Sequence, residues 1–327
     1  MIIETLGVNY LSFSSLLSLS PKTKMMQWGQ IKLNPPIESS ISKIGEHKWL
    51  VGRQHICEQA DSSNLTDAIA HWDDELGRKF CLRTTDARPQ SSYFEPFYCA
   101  GDCAAVWEFA GKIWKVKSSL EKMQMEAETI DFVRSHFPGI PVPTVVHYWN
   151  DTTDRRSFMV LDREKGQTLD SCWASLTDPQ QEAIAKTVAG YVERLATSQR
   201  PSMETVSGYG IDNPTLQPRA KYDPLYPSLL RLASLKEAND YFSPLKVESS
   251  FVFSHCDLAA CNILIDENGS VTCLIDWEAA GWSMMLSDER FEKAWMELIG
   301  QALKEKGFDG DGDTYRRWHS GEGAEGA

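Results

Sequence analysis

The chain has 327 residues, a formal net charge of -13, 42% hydrophobic residues and 24% charged residues, a composition typical of folded globular proteins. The negative charge argues against nucleic-acid binding as the main function. The sequence contains no run of about 18 apolar residues, the length that a membrane-spanning helix needs. The 8 cysteines form no C-x-x-C pair and no regular disulfide pattern. We therefore expect free thiols, a reducing compartment and a cytoplasmic location.

Residues 1–90 contain few clear elements, and we interpret them as an N-terminal extension. The first 20 residues are mildly apolar, but no basic segment precedes the apolar part, so a secretory signal is not expected. Residues 47–54 are typical of a short strand or the start of a helix. Residues 64–76 are predicted to form a helix with Thr66 as its cap. We assign no function to this extension.

Five short segments rich in aromatic and β-branched residues are predicted to form the strands of a sheet. They are residues 93–99, 104–109, 112–117, 145–149 and 157–161. Gly101 and Gly111 mark the turns between the first three segments. Gly101 is the single glycine in its turn, so this stretch lacks the G-x-G-x-x-G run of a protein kinase phosphate loop.

Lys115 lies in the third predicted strand, between two apolar residues. Two interpretations are open: the side chain extends past the edge of the sheet into solvent, or it binds a phosphate. The second is favoured because residues 125–133 predict a helix that carries Glu126 on its apolar face. A strand lysine paired with a carboxylate on the next helix positions nucleotide phosphates in kinases. Glu128 is the alternative partner of the lysine.

The chain after residue 163 is predicted to be mainly helical. A capping box beginning at Thr177 starts one helix, and further helices are predicted at 228–242 and 290–306. The proline-rich loop at 201–227 is predicted to contact a substrate, since loops of this length are usually functional.

Residues 251–282 carry the most informative pattern of the chain. Three strands are predicted at 251–254, 263–266 and 271–275, and the Asn-Gly pair between the last two is typical of a tight hairpin turn with positive φ at both central positions. Asn262 and Asp276 flank this hairpin at its open end.

Asp257 precedes Asn262 by five residues, on the loop that leads into the hairpin. Paired residues on antiparallel strands are about 4.5 to 5.5 Å apart, so Asn262 and Asp276 are able to bind one hard cation together. The ordered set is the pattern of phosphoryl transfer, in which one aspartate orients the attacking hydroxyl while the other residues hold Mg2+ against nucleotide phosphates. A D-x-x-x-x-N motif alone is common by chance, whereas the ordered set is specific.

The stretches 255–266 and 275–282 resemble the HGD-L…N-I-L and I-D-W-E…A-G motifs of aminoglycoside phosphotransferase-like kinases, and more closely those of their fungal branch. The sequence departs from the bacterial pattern at Cys256, where glycine is frequent. The resemblance implies an α+β, bilobal protein-kinase-like fold with a small antiparallel-sheet N-lobe and a mainly helical C-lobe. The implied domains are an extension partly packed on the N-lobe (1–90), a nucleotide-binding N-lobe (91–162), a catalytic and substrate-binding C-lobe (163–308) and a disordered tail (309–327).

The resemblance further implies an ATP- and Mg2+-dependent phosphotransferase that phosphorylates an alcohol group of a small molecule, as aminoglycoside and choline kinases do. Asp257 is then the catalytic residue and Asn262 and Asp276 bind the metal. The residues implied to bind the nucleotide are Lys115, Glu126 and Gly101. The expected partner is a small-molecule substrate, with neither nucleic acid nor a membrane, and the acceptor, the choice between ATP and GTP and the oligomeric state stay open.

Several alternatives to this interpretation are open. A catalytically inactive nucleotide-binding scaffold shares the fold, and a protein kinase shares the chemistry. A small-molecule substrate is favoured because position 256 is not arginine and little chain for an activation loop follows Asp276. A metal-free hydrolase would use Asp257 and Asp276 as a carboxylate pair, but it leaves Lys115, Glu126 and Asn262 without a role. Zinc binding by Cys99 with Cys103, or by His255 with Cys256 and Cys261, is less favoured than buried thiols.

Overall fold

The computed structural model of the protein describes most of the chain after residue 34. The described residues are 35–61, 65–86, 90–101, 103–119, 122–213, 216, 229–243, 245, 250–283, 293–308 and 312–320. The chain divides into two compact units, one made of Met1–Leu120 and Thr144–Arg163 and the other of Glu121–Pro143 and Glu164–Ala327. Glu121–Pro143, which the sequence assigns to the first lobe, therefore groups with the second unit.

The first unit contains a six-stranded antiparallel sheet within the predicted N-terminal extension and the residues that follow it. Its strands are β1 (Ile41–Gly45), β2 (Lys48–Val51), β3 (His55–Gln59), β4 (Ala70–Asp73), β5 (Lys79–Thr84) and β6 (Ser92–Tyr93). Their order in the sheet is β4-β5-β3-β2-β1-β6. This sheet is absent from the sequence-based prediction, which contains only an extension partly packed on the lobe.

Strand β4 lies where the sequence predicts a helix. The prediction of a helix at 64–76, capped by Thr66, is wrong, because residues 65–69 contain no helix and the next four residues form β4. In the pairing of β4 with β5, Trp72 lies opposite Phe80, and both side chains are buried. Pairing and burial with a distant segment thus outweigh the local helix signal.

The second sheet of the first unit contains five strands. They are β7 (Tyr98–Ala100), β8 (Ala104–Phe109), β9 (Lys112–Ser118), β10 (Val145–Asp151) and β11 (Arg156–Asp162). Their order is β10-β11-β9-β8-β7, and the last four of the five predicted strands are confirmed. The strand predicted at 93–99 is divided, since its first part belongs to β6, which pairs with β1 in the other sheet.

An aromatic core lies between the two sheets of the first unit. Trp49 of β2 packs against Phe109 of β8, with 4.6 Å between the ring centroids, and Phe109 stacks on Trp114 of β9 at 4.5 Å. Trp114 and Val116 are both buried in this core. Because side chains alternate along a strand, Lys115 between them points to the opposite face of the sheet.

The turn between β8 and β9 packs against β4 and the residue that follows it. Trp72 Nε1 donates a hydrogen bond of 2.7 Å to the carbonyl oxygen of Ala110. The next residue, Gly111, has a φ of +70, and a Cβ atom there would lie 2.7 Å from Asp74 Cβ and 3.0 Å from Asp74 Cα. The six-stranded sheet and its turns therefore help to fix the hairpin that carries Lys115.

The second unit contains all the α-helices of the described residues, six in number. They are α1 (Glu126–His136), α2 (Leu169–Cys172), α3 (Asp178–Leu195), α4 (Leu235–Tyr241), α5 (Lys293–Glu305) and α6 (Gly312–Ser320). Its strands are β12 (Gln167–Thr168), β13 (Gln199–Arg200), β14 (Phe251–Ser254), β15 (Ile263–Ile265), β16 (Val271–Leu274) and β17 (Gly281–Ser283). They form two small antiparallel sheets in the orders β12-β15-β16 and β13-β14-β17.

Helix α3 begins with the predicted capping box. Thr177 N donates to Gln180 Oε1 at 3.0 Å, and the Thr177 side chain accepts the reciprocal bond from the first turn. Ile184, Val188 and Leu195 are buried along one face of the helix, and α3 packs against α5. None of the helices in the part of the chain that the structure describes is long and apolar enough to cross a membrane.

The helix predicted at 228–242 is shorter than expected. It begins only at Leu235, after Ser234 accepts a capping hydrogen bond from Glu237 N at 3.2 Å. The preceding Leu230 and Leu232 form isolated β-bridges with an earlier segment. Of the predicted loop at 201–227, residues 214, 215 and 217–227 lie outside the described residues.

The prediction of a disordered tail is wrong for the residues of α6. Trp318 packs against Phe242, with 5.0 Å between the ring centroids, and its Nε1 donates to Tyr241 O at 3.3 Å. Tyr315, one helical turn earlier, is also buried. Two aromatic anchors on one helical face thus order a segment whose polar, glycine-rich composition alone predicts disorder.

We expect Gly111→Ala to destabilise the protein by about 2–5 kcal/mol, because a left-handed alanine costs about 1–2 kcal/mol and overpacking against Asp74 costs about 1–3 kcal/mol more. Gly77→Ala is the matched control, since Gly77 has a φ of +73 but nothing within 4 Å of its Cβ position. Thermal unfolding of the two variants measures the difference. Equal losses of Tm would show that the contact with Asp74 adds no constraint.

Candidate active site

Strands β15 and β16 form the predicted antiparallel hairpin, but with a different turn. Gly269 has a φ of +80, whereas Asn268 is not in the left-handed region, so the predicted positive φ at both positions is wrong. Asp266 Oδ1 accepts hydrogen bonds from Ser270 N at 2.8 Å and Asn268 N at 2.9 Å. These bonds close a longer turn, and they lower the pKa of the Asp266 carboxyl.

Asn262 and Asp276 lie at the open end of this hairpin. Asn262 is the last residue of a short 3-10 helix, Ala260–Asn262. Its carbonyl oxygen accepts a hydrogen bond of 2.9 Å from Ile275 N. Because Ile275 directly precedes Asp276, this bond places Asn262 and Asp276 on adjacent segments of the chain.

Asp257 and Asn262 are in direct contact. The side-chain nitrogen of Asn262 donates to the carbonyl oxygen of Asp257 at 2.9 Å and to its Oδ2 at 3.0 Å. Asn262 is buried, with 4% of its surface exposed. Since the amide nitrogen is used on Asp257, the amide oxygen is the side-chain atom that is suited to a cation.

Asp276 lies within a cluster of carboxylates. It has a left-handed backbone, with φ 68 and ψ 57, immediately before the 3-10 helix Trp277–Ala279. Oxygen atoms of Glu126, Asp276 and Glu278 lie within 4.8 Å of one another. Carboxylate oxygens of this kind, with an amide oxygen, suit a hard divalent cation such as Mg2+.

Glu278 is a candidate ligand that the sequence analysis does not assign to the site. The available signal is its place two residues after Asp276, within the I-D-W-E motif. Spacing alone does not assign it, because side-chain spacing depends on whether the chain there is extended or turned. The tight 3-10 turn that begins after Asp276 brings the two side chains together.

Glu126 and Glu128 of α1 have different partners. Glu126 is buried, and its Oε1 accepts a hydrogen bond of 3.1 Å from Trp277 N. Glu128 Oε2 accepts instead from Gln124 Nε2 at 2.5 Å and from Ser207 Oγ at 2.8 Å. Of the two glutamates, Glu126 is therefore the one that belongs to the carboxylate cluster around Asp276.

Lys115 and Gly101 lie in the first unit. Lys115 is on β9, the central strand of the five-stranded sheet, where it pairs with Val106 on one side and Met159 on the other. The interpretation that Lys115 extends past a sheet edge is therefore wrong. Gly101, in the turn between β7 and β8, has a φ of +53 and open space at its Cβ position. Pairing of Lys115 with Glu126, and phosphate binding by Gly101, stay predictions.

His255 and Trp277 connect the loop of Asp257 to the hairpin. His255 Nε2 is 3.0 Å from Ile275 O, and its ring centroid is 4.3 Å from that of Trp277. Trp277 Nε1 donates to Leu274 O at 2.7 Å. Both rings are fully buried, so their contacts fix the loop of Asp257 against the hairpin.

The zinc alternative is not supported by the described residues. Among them, the carboxylate cluster around Asp276 is the only group of three or more side chains placed to share a metal ion. His255, Cys256 and Cys261 form no such group. Oxygen ligands also favour magnesium over zinc, which prefers nitrogen and sulfur.

The thiol of Cys261 responds to the electrostatics of the site. Burial and the negative charges of Asp257, Asp170 and Asp276 raise the pKa of this thiol to about 12. Three carboxylates near one partly buried position create a negative potential, which a bound divalent cation would offset.

Comparison with known proteins identifies one family. The family model of the Phosphotransferase enzyme family matches residues 101–318, which is more than half of the chain. A crystal structure of an aminoglycoside-3'-phosphotransferase of type VIII is similar, with 17% identity over 68% of this chain and 88% of that chain, and a TM-score of 0.43. The streptomycin-ATP-APH(2")-IIa ternary complex has 14% identity over 69% of this chain and 81% of that one, with a TM-score of 0.43. The GDP and kanamycin complex of APH(2")-IIia has 18% identity over 69% of this chain and 80% of that one, with a TM-score of 0.45. No curated protein matches the sequence.

We expect Cys261 to resist alkylation in the folded protein. With a pKa of about 12, the thiolate is only about 10⁻⁴ of the total at pH 8. Iodoacetamide at pH 8, followed by peptide mass mapping, should label the exposed Cys99 well before Cys261. The urea-unfolded protein is the control, in which both thiols should react alike. Comparable rates for the two cysteines in the folded protein would contradict the raised pKa of the Cys261 thiol.

Proposed function

Because the chain belongs to the phosphotransferase enzyme family, we propose that it transfers the γ-phosphoryl group of ATP to a hydroxyl group of a small molecule. The acceptor oxygen forms a bond to the γ-phosphorus while the bond to the β–γ bridging oxygen breaks, so the products are the phosphorylated acceptor and ADP. The observation that carries the proposal is the contact of Asp257 with Asn262, together with the hairpin that places Asp276 beside Asn262.

Asp257 is the catalytic residue in this proposal. Its carboxylate orients the acceptor hydroxyl and accepts the proton late in the transfer, after which the proton passes to solvent. The two hydrogen bonds from Asn262 support this role, since they fix both the backbone and the carboxylate of Asp257. A hydrolase that pairs Asp257 with Asp276 gives Asn262 no comparable role.

Asn262 and Asp276 are the proposed metal ligands, and Glu278 is a further candidate. When bound, Mg2+ neutralises charge on the β- and γ-phosphates of the nucleotide. The amide oxygen and the carboxylate oxygens are ligand types that this cation prefers. The charge of this cation would also relieve the repulsion within the carboxylate cluster around Asp276.

Lys115 and Glu126 are proposed to act as a pair on the nucleotide. The lysine contacts the α- and β-phosphates, and the carboxylate orients it. Support comes from the position of Lys115 on a central strand, on the face away from the core, and from the position of Glu126 within the carboxylate cluster around Asp276. The turn of Gly101 is proposed to lie over the phosphates, where absence of a Cβ atom permits close approach of the backbone.

A small-molecule acceptor is proposed in preference to a peptide. Position 256, before Asp257, is cysteine, so the chain lacks the arginine with which protein kinases sense a phosphorylated activation loop. The chain after Asp276 returns within a few residues to β17, which pairs with β14 in the interior. A peptide platform has correspondingly little room there.

We expect Asp276→Asn to abolish the thermal stabilisation that Mg-ATP gives to the wild-type protein. Asparagine keeps the shape and tolerates the left-handed backbone of this position, so the loss reports the charge and not the fold. Thermal shift with ATP, in the presence and absence of Mg2+, measures it. Glu267→Gln, on the exposed turn of the hairpin, is the control and should leave the shift unchanged.

In the same assay, Glu278→Gln tests whether Glu278 binds the metal or only lies near the metal site. A reduced Mg2+-dependent shift would assign Glu278 to the metal site, whereas a normal shift would restrict the site to Asn262 and Asp276. An unchanged shift in the Asp276→Asn variant would contradict the metal assignment.

We expect Asp257→Asn to reduce turnover by about 10²- to 10⁴-fold, the usual effect of removing a general base, with nearly unchanged affinity for Mg-ATP. Isothermal titration with Mg-ATP and an ATPase assay without acceptor measure both quantities before any substrate is known. Asp240→Asn, which removes an exposed carboxylate of α4 paired with Lys236, is the matched control.

The outcomes of this experiment separate the candidate functions. Undiminished ATP hydrolysis in the Asp257→Asn variant would contradict its catalytic role. Mg-ATP binding by the wild type without any turnover would favour an inactive scaffold. A wild type that binds no nucleotide would contradict the proposed function as a whole.

A further inference from the structure

Cys256 has a backbone conformation that residues other than glycine rarely adopt. Its φ is 63, in the left-handed region, which is unfavourable for any residue with a Cβ atom. Cys256 directly precedes Asp257, so its φ and ψ set the direction in which Asp257 leaves β14. A strained residue beside a catalytic group persists only where its surroundings hold it.

The thiol of Cys256 is held by Ser254, the last residue of β14. Its Sγ lies 2.9 Å from Ser254 Oγ and 3.6 Å from Ser254 O, to which it donates. Ser254 of β14 lies opposite Gly281 of β17 in the sheet, so the thiol lies beside a buried pair of strands.

The carbonyl group of Cys256 has a separate partner. Asn213 Nδ2 donates to this oxygen at 3.0 Å, and the Asn213 side chain is buried. The oxygen belongs to the planar peptide group that joins Cys256 to Asp257. This hydrogen bond therefore fixes the plane from which Asp257 extends, while Asn262 fixes the next carbonyl group, that of Asp257.

We infer that Cys256 and Asn213 are positioning residues, which hold the peptide group before Asp257 in the orientation that directs its carboxylate to the acceptor hydroxyl. The inference rests on the proposed function, in which Asp257 is the catalytic residue. The hydrogen bonds of the thiol and of the carbonyl group offset the strain of the left-handed backbone. Asn213 lies in the segment at 201–227 that the sequence predicts to contact the substrate, so that segment reaches the peptide group of Asp257 through this hydrogen bond.

The comparison of Cys256→Ala with Cys256→Gly tests the inference. Alanine keeps the Cβ atom and its strain but loses the thiol hydrogen bonds, whereas glycine removes the strain as well. A residue that only fills space would show the opposite order, because glycine leaves the larger cavity. We expect Cys256→Gly to retain about tenfold more turnover than Cys256→Ala, as the left-handed penalty predicts, with unchanged affinity for Mg-ATP in both. Cys256→Ser, which keeps a hydroxyl group for Ser254, should lie between them.

Hydrolysis of Mg-ATP without acceptor, isothermal titration with Mg-ATP and thermal unfolding provide the readouts for all variants. Cys57 supplies the matched control, since it is fully buried on β3 in an ordinary strand. There the glycine variant should be the less stable of the pair, which shows how a cysteine that only packs responds. Asn213→Asp keeps the side-chain shape but presents no donor to Cys256 O. It should lower turnover about tenfold or more without weakening Mg-ATP binding, since small displacements of a catalytic group are costly.

The outcomes separate this inference from the proposed function. If wild-type protein binds and hydrolyses Mg-ATP but Cys256→Ala is at least as active as Cys256→Gly, the positioning role of Cys256 is refuted. Normal turnover in Asn213→Asp refutes the role of Asn213, and this variant tests the positioning of the peptide group even where Cys256→Ala does not fold. Absence of turnover in the wild type refutes the proposed function itself, and with it this inference.

Discussion

The candidate site depends on the hydrogen bonds of one buried residue, Asn262. Its side-chain nitrogen binds Asp257, its carbonyl oxygen accepts from Ile275 N, and its own N–H donates to Ala259 O at 2.9 Å. A buried amide left without these partners would be costly, so the loop and the hairpin are held in one arrangement. The relative placement of Asp257 and Asp276 follows from that arrangement.

Two of the strained backbone positions in the described residues lie at this site. Five residues other than glycine have a positive φ. Two of them belong to the site: Cys256 lies directly before Asp257, and Asp276 lies within the carboxylate cluster. The other three are Ala110, Lys122 and Arg155. Conformations of this kind persist only where surrounding contacts fix them. The thiol contacts of Cys256 and the 3-10 turn after Asp276 supply such contacts, which indicates a site whose geometry is set before any ligand binds.

The elements that the sequence predicted correctly are those determined by local chemistry. The capping box at Thr177 and the β15–β16 hairpin are specified within a few residues, and the five-residue spacing of Asp257 and Asn262 brings them into contact within one short loop. The six-stranded sheet was missed because its pairing is not local. The register that places Trp72 opposite Phe80 depends on burial that no short window of sequence reveals.

Site predictions divide in the same way. The five-residue spacing of Asp257 and Asn262 is enough to group them in one site. The sequence does not assign Glu278 to the site, because only the 3-10 turn of the structure brings its side chain to Asp276. The hairpin has a longer turn than the Asn-Gly pair predicts, because the side chain of Asp266 accepts two backbone N–H groups. The pairing of Lys115 with Glu126 joins residues of two different compact units, and it stays a prediction.

The two-sheet core of the first unit determines where a stable fragment of the protein has to begin. The family match begins at residue 101, whereas the core behind β8 and β9 includes Ile37 and Trp49. A fragment cut at the start of the match would keep Trp114 but lose the side chains that cover it. Such a fragment would expose a broad aromatic surface to water and associate with itself before it bound any nucleotide. The region recognised as the family is thus smaller than the region that folds.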